Sequence, residues 1–326
     1  MAKGGIRMDR IRALALAAAL SLCALEASAI PKNIVVGAIK GPSGIGMARL
    51  FETPPALADG ASLRPIAAAS VELMTAKLIS GEYDAGVLPV NVAAKLYESG
   101  VPIKLAAVVG EGMLSFLSAD ASIRTLGDLK GKRISVAGQG ATPDYLFRRL
   151  LRGAGIDPAK DLVLDYSLPA PEAALALASG EIGYAILPEP FATLARLRDT
   201  SLREGLDLSA LWKEQTSQSA YPMTCFVVSS ALVSERAQAV RAILDAYSAS
   251  IAWVVAHPSE AGALVEKHEL GLKADIAAAS IPRSALVFKN SRVARPEVEA
   301  LLRTFLELAP GSVGGRLPDD DFYASF

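Results

Sequence analysis

The chain has 326 residues, 52% of them hydrophobic and 21% charged, with a formal net charge of −1. That length suits two domains of ordinary size or one large one, and the apolar content excludes a disordered chain. Near-neutral charge excludes the basic footprint of a nucleic-acid binder.

Lys3, Arg7, Arg10 and Arg12 precede the apolar run Ala13 to Leu25, which Ala27-Ser28-Ala29 follows. A positive stretch, a short apolar stretch and an A-x-A site predict a secretory signal peptide over residues 1–29. The run is short for a membrane-spanning helix. An uncleaved anchor and lipoprotein processing at Cys23 are the alternatives. Leu22 before Cys23 disfavours the second, because a small residue is expected there. Residues 1–29 hold four basic and two acidic groups, so removing them leaves 29 of 33 basic and 32 of 34 acidic residues, or −3. Cleavage would leave Cys225 as the one cysteine, with no internal disulfide possible. No later stretch reaches spanning length without charge, so the exported chain is expected to be soluble.

From Ile30 onward, short apolar runs alternate with amphipathic ones. Ile34 to Ile39 reads as a buried parallel strand, broken by Gly41-Pro42-Ser43-Gly44, with helical spacing from Ile45 to Phe51. The grammar recurs at Ile134 to Ala137, where Gly138-Gln139-Gly140-Ala141 is the turn. Thr142-Pro143-Asp144 then predicts a helix to about Arg152, with Thr142 as N-cap and Pro143 as first helical residue. Alternating strands and helices imply parallel α/β sheets.

An internal echo divides the chain. Leu78 to Pro89 (LISGEYDAGVLP) returns 99 residues later as Leu177 to Pro188 (LASGEIGYAILP), each followed by a helix. Each copy predicts a helix ending at Ser-Gly, a buried strand and a proline that stops it. The separation is too long for a solenoid and suits two similar domains. Ser115 to Ser122 is expected to carry the first crossing between lobes, and the run from Tyr221-Pro222 to Val228 the second. Lobe 1 is thereby assigned residues 30–116 and 222–326, and lobe 2 residues 117–221. Helices are expected over Glu235 to Ala256, Pro258 to Glu269 and Arg295 to Leu308.

Several segments carry a family resemblance. They are Leu126-Gly127-Asp128-Leu129-Lys130-Gly131-Lys132-Arg133-Ile134, the turn and helix from Gly140 to Leu150, and Leu177 to Phe191 with Pro188-Glu189-Pro190. The strand from Pro222 to Ser230 and the helix ending at Trp253 and His257-Pro258 complete the set. In order and spacing they resemble substrate-binding proteins of ABC transporters of the nitrate/sulfonate/taurine and thiamine-precursor type. The resemblance covers nearly all of the chain after residue 29. It implies a two-lobed type II periplasmic binding protein, each lobe a mainly parallel sheet flanked by helices. A monomer of this kind closes about a two-crossing hinge on a small molecule and delivers it to an inner-membrane ABC permease.

Ligands of open α/β sheets bind beyond the carboxyl ends of the strands, where helix N-termini present free N–H groups. The loops there nominate Ser43 and Gly44, Ser70 and Asn91 from lobe 1, and Gln139, Thr142 and Glu189 from lobe 2, with Tyr221 beside the hinge. Each has a structural alternative. Ser43, Ser70 and Thr142 can simply cap helices, and Glu189 can serve only its helix N-terminus. No Arg or Lys lies within these loops, which leaves oxyanions, zwitterions and neutral heterocycles open as ligands.

No nucleophile stands beside a base, and neither metal-ligand spacing nor a dinucleotide or P-loop fingerprint occurs. No cofactor is expected. Cys225 lies in an apolar run, and His257 and His268 have no evident partner. Thiamine-pyrimidine synthases and menaquinone-pathway dehydratases resemble the same family and define an enzymatic alternative. The former carry a Cys-rich segment that this chain lacks, and both normally work in the cytosol. A periplasmic sensor subunit is the remaining alternative.

Overall fold

The computed structural model describes residues 33–325. The expected export segment, with Ala29 and Cys23, lies outside the described residues. The first sheet is built from β1 (Ile34–Ile39), β2 (Leu63–Ala68), β3 (Ala85–Pro89), β4 (Ile103–Glu111), and two late strands, β10 (Pro222–Ser229) and β11 (Leu286–Asn290). Its order is β11-β4-β10-β3-β1-β2. β1 pairs in parallel with β2 from Ile34↔Leu63 to Ile39↔Ala68, and with β3. β10 runs antiparallel between β3 and β4. The β-branched and alanine residues of β1 and β3 are almost wholly buried, as strands covered on both faces require.

The second sheet holds β5 (Leu114–Ser118), β6 (Arg133–Val136), β7 (Val163–Asp165), β8 (Tyr184–Pro188) and β9 (Arg203–Leu206), ordered β7-β6-β8-β5-β9. β6 is parallel to β7 and β8, while β5 is antiparallel to β8 and β9. Helices follow the strands in both sheets. They are α1 (Pro42–Ile45), α2 (Ala48–Glu52), α3 (Val71–Ile79) and α4 (Val90–Glu98) in the first, and α5 (Thr142–Gly153), α6 (Ala170–Ala178), α7 (Phe191–Arg198) and α8 (Leu208–Thr216) in the second. The remaining helices, α9 (Ser230–Glu235), α10 (Ala237–Ala256), α11 (Pro258–Lys267), α12 (Ala274–Ser280) and α13 (Ser291–Leu308), follow β10.

The chain changes sheet twice. The first change falls at Gly112-Met113, between β4 and β5, four residues before the expected boundary. Its cause is the pairing of all of β5, from Leu114↔Pro188 to Ser118↔Tyr184, with β8. The second falls between α8 and β10, within residues 217–221. The ring of Tyr145 on α5 packs tilted at 4.9 Å against Phe305 of α13, and one apolar core runs through both sheets at that side.

Both copies of the echo form the same unit. α3 ends at Ser80 with Gly81 at φ +70°, and α6 ends at Ser179 with Gly180 at φ +76°, a left-handed geometry that glycine adopts without strain. β3 and β8 then end on Pro89 and Pro188. Three local expectations need correction. Ala141, not Thr142, is the N-cap of α5 and makes no side-chain cap bond, while the Asp144 carboxylate accepts from the Gly140 N–H at 2.9 Å in the preceding turn. The expected helix from Glu235 to Ala256 starts two residues later, at Ala237: Arg236, at φ −138°, ψ 44°, separates it from the short α9, and its guanidinium pairs with Asp59. The last helix starts at Ser291, where Asn290 caps the Val293 N–H, and Pro296 lies inside it.

Among the described residues, α10 is long and apolar enough to cross a membrane by length and composition. Its Val240, Ile243, Tyr247, Ile251 and Val254 are buried against the first sheet and its helices, while Arg241 lies exposed. That amphipathic pattern is a core helix's.

Candidate functional site: the cleft between the two sheets

The strands β1, β2, β3, β6 and β8 all point their carboxyl ends at one cavity of about 450 Å³. The chain leaves each strand there through residues that line it: Ile39, Lys40, Pro42 and Ser43 after β1; Val71 and Glu72 after β2; Pro89, Asn91 and Val92 after β3. From the second sheet come Ala137, Gly140, Ala141, Thr142 and Pro143 after β6, and Pro188 from β8. The hinge supplies the floor: Met113 from the first crossing, Met223 and Thr224 from the start of β10. The two echo prolines, Pro89 and Pro188, thus contribute to the cavity from opposite lobes. A second depression of similar size, around Arg124, Asp207 and Glu214, is walled by elements of the five-stranded lobe alone.

Four neutral polar side chains line the cleft: Ser43, Asn91, Thr142 and Thr224. Asn91 is 7% exposed and Thr142 5%. None of the four makes a side-chain hydrogen bond to another described residue. Buried polar groups are ordinarily paired, so four converging groups left open to one cavity are groups for a ligand to satisfy. The N-terminal N–H groups of α4 and α5 add to them, since neither helix has a side-chain hydrogen bond from its N-cap, Pro89 or Ala141. The apolar share of the wall suits a ligand with a hydrocarbon body.

The structure brings together three of the expected site residues, Ser43, Asn91 and Thr142, and turns the other five elsewhere. Gly44 is buried within α1 against the Ile39 carbonyl and Leu270. Ser70 caps α3, its hydroxyl accepting from the Leu73 N–H at 3.3 Å. Gln139 lies exposed between two positive-φ glycines. Glu189 is 1% exposed and faces the lobe's interior, where it accepts from the Thr193 N–H at 3.0 Å and stands 3.6 Å from Arg196. Burial raises its pKa against the opposing pull of those partners. Tyr221 is fully buried against Trp212, and burial raises its hydroxyl's pKa as well. Sequence reasoning missed Met113, Met223 and Thr224. Met223 and Thr224 lie two and three residues beyond the nominated Tyr221, and Met113 lies between β4 and β5; no local pattern marks any of the three.

The two charged lining groups sit at the rim. Glu72 is exposed in the first turn of α3, and a hydrogen bond from the Ser70 hydroxyl lowers its pKa. Lys40 follows β1. Cys225, the free cysteine of the described residues, is buried with its thiol aimed at the Leu88 carbonyl, and desolvation raises its pKa. Among the described residues no group of three or more His, Cys, Asp or Glu side chains could hold a metal ion.

Two mainly parallel α/β lobes, joined by two crossings around a cleft at their strand ends, define the type II periplasmic-binding-protein fold. Comparison with known proteins places the chain more closely. The model of the family described as NMT1/THI5 like matches residues 59–261, and the chain belongs to that family. A solved ABC transporter structure from Parabacteroides distasonis is 31% identical, with a TM-score of 0.77, covering 90% of this chain and 99% of its own. The periplasmic aliphatic sulphonate binding protein SsuA from Escherichia coli shares the fold at 20% identity and TM-score 0.68, over 89% and 92% of the two chains. The desulfurization enzyme DSZB shares it too, at 18% identity and TM-score 0.59, over 90% and 96%. No match was found among curated proteins.

Proposed function

We propose that this protein is the solute-binding component of an ABC-type importer. It is exported, holds one small organic molecule between its lobes, and presents the closed form to a membrane permease without altering the molecule. The observation that carries this reading is the cleft itself: four polar side chains with no side-chain hydrogen bond to another described residue, set in an apolar wall. Ser43 and Asn91 reach the ligand from the six-stranded lobe and Thr142 from the five-stranded lobe. The uncapped ends of α4 and α5 favour a ligand whose polar head accepts hydrogen bonds or is anionic, with its body on Met113 and Met223. Closure about Gly112-Met113 and residues 217–221 excludes water, so an unmatched head group would leave buried polar atoms unpaired. Specificity follows from that mismatch. The family kinship and the likeness to an ABC transporter structure and a periplasmic sulphonate binding protein support the transport role, and the expected signal peptide supports export.

The test is a thermal-shift screen over sulfonates, oxyanions, pyrimidines, thiamine precursors and amino acids, followed by mass spectrometry of the recovered ligand. A ligand at 100 times its Kd stabilises the native state by about 2.7 kcal/mol. A hit recovered unaltered supports a receptor. A hit recovered chemically changed would refute it in favour of an enzyme such as DSZB, which shares the fold.

A further inference from the structure

Gly110, the penultimate residue of β4, does not line the cleft. Its φ lies outside the left-handed region, so its backbone conformation does not call for glycine. Space does. A Cβ placed on Gly110 would stand 2.5 Å from the Met113 Cε and 2.6 Å from the Thr224 Oγ1. Both neighbours line the cleft floor, one from each hinge crossing. Gly110 pairs with Thr224 across the β4–β10 ladder, where the register shifts on either side of Thr224. The ladder holds the two backbones in place, so a methyl group on Gly110 would have to be accommodated by the two side chains. The open side available to them is the cavity.

We infer that Gly110 is a positioning residue that sets how large a ligand body the cleft admits, by letting Met113 and Thr224 lie back against β4. The inference rests on the ligand-capture reading and adds its size-selecting element. Met113 is the flexible partner: an unbranched thioether moves into a neighbouring void more readily than a branched side chain does. Gly37 and Gly86 make comparable room for Met74, their built Cβ atoms falling 2.5–2.6 Å from its Cε or Sδ. Met74 is buried in the core and lines no part of the cleft. Gly86→Ala is therefore a control with the same local crowding and no route to the ligand.

The experiment titrates linear 1-alkanesulfonates and n-alkanoates of increasing chain length into protein labelled at the methionine methyl carbons. It is read by calorimetry and by the Met113 and Met223 methyl resonances, with Met47 as internal reference. In the unaltered protein the two floor methyls move on titration, and affinity rises with chain length to a limit. Gly110→Ala displaces the Met113 resonance before any probe is added. It also shortens the limit: the longest member the unaltered protein accepts binds about tenfold more weakly or worse, while the shortest stays within about twofold. Met113→Ala lengthens the limit, and Gly110→Ala/Met113→Ala restores it. Gly86→Ala lowers the Tm and leaves the limit alone. An unchanged limit in Gly110→Ala, or an equal change in Gly86→Ala, overturns the inference while the cleft reading stands. Floor methyls that respond to no probe in the unaltered protein overturn the inference, while the wider ligand screen still decides the cleft reading. If Gly110→Ala does not fold, Met113→Ala decides, and an unchanged limit there is refutation.

Discussion

Replacing Asn91 by alanine separates ligand recognition from stability. Asn91 is the second residue of α4, 7% exposed, and its amide has no hydrogen-bond partner among the described residues. Truncation therefore removes no bond from the folded protein, and alanine is the better helix former, so stability should stay within about 0.5 kcal/mol. A ligand that uses the amide loses one hydrogen bond and is left with an unmatched buried group. That loss is about 1 to 3 kcal/mol, or roughly five- to 150-fold in Kd. Ser70→Ala gives the opposite pattern. The serine's 3.3 Å bond to the Leu73 N–H caps α3, and losing it should lower stability by about 1 kcal/mol with Kd unchanged. Urea unfolding and calorimetry on both variants, with the ligand from the screen, give the four numbers. A destabilised Asn91→Ala with unaltered affinity would show that the amide serves the fold and that unpaired cleft groups do not mark ligand contacts.

Three further outcomes follow from the packing. Phe305 is fully buried and joins the lobes through Tyr145, so Phe305→Ala should lower unfolding free energy by about 3 to 5 kcal/mol in denaturant titration. Glu111, which ends β4 at the hinge, has its pKa raised by burial although Lys289 stands 2.6 Å away and pulls it down. A carboxyl raised on folding binds protons more tightly in the native than in the unfolded state. Its ionisation therefore erodes stability as pH climbs from the ordinary glutamate range, about 4.3, through the raised value. Glu111→Gln should flatten that decline as pH rises above the ordinary glutamate range in urea titrations. An unchanged slope would mean that the Lys289 pair cancels desolvation. Cys225 should resist thiol reagents in the native protein and react fully once unfolded. Rapid native labelling would show that β10 opens.

The sequence by itself carried the architecture because its signals are local and periodic. Apolar runs followed by glycine turns announced β1 and β6, and the paired LISGEYDAGVLP and LASGEIGYAILP segments announced equivalent strand–proline–helix units. The structure sets those two prolines at one cleft. Ser43, Asn91 and Thr142 were legible for the same reason: each follows directly from a strand end whose direction the α/β grammar fixes. What only the tertiary structure decided is which way a side chain turns once its backbone is placed. Ser70 and Glu189 follow strand ends just as Asn91 does, yet each finds a nearer partner, the Leu73 N–H for one and the Thr193 N–H with Arg196 for the other. Met113, Met223 and Thr224 were hidden because they meet through the pairing of β4 with β10, whose residues lie more than a hundred positions apart. A contact across that separation leaves no period in the sequence, and the cleft floor exists only after both hinge strands have folded.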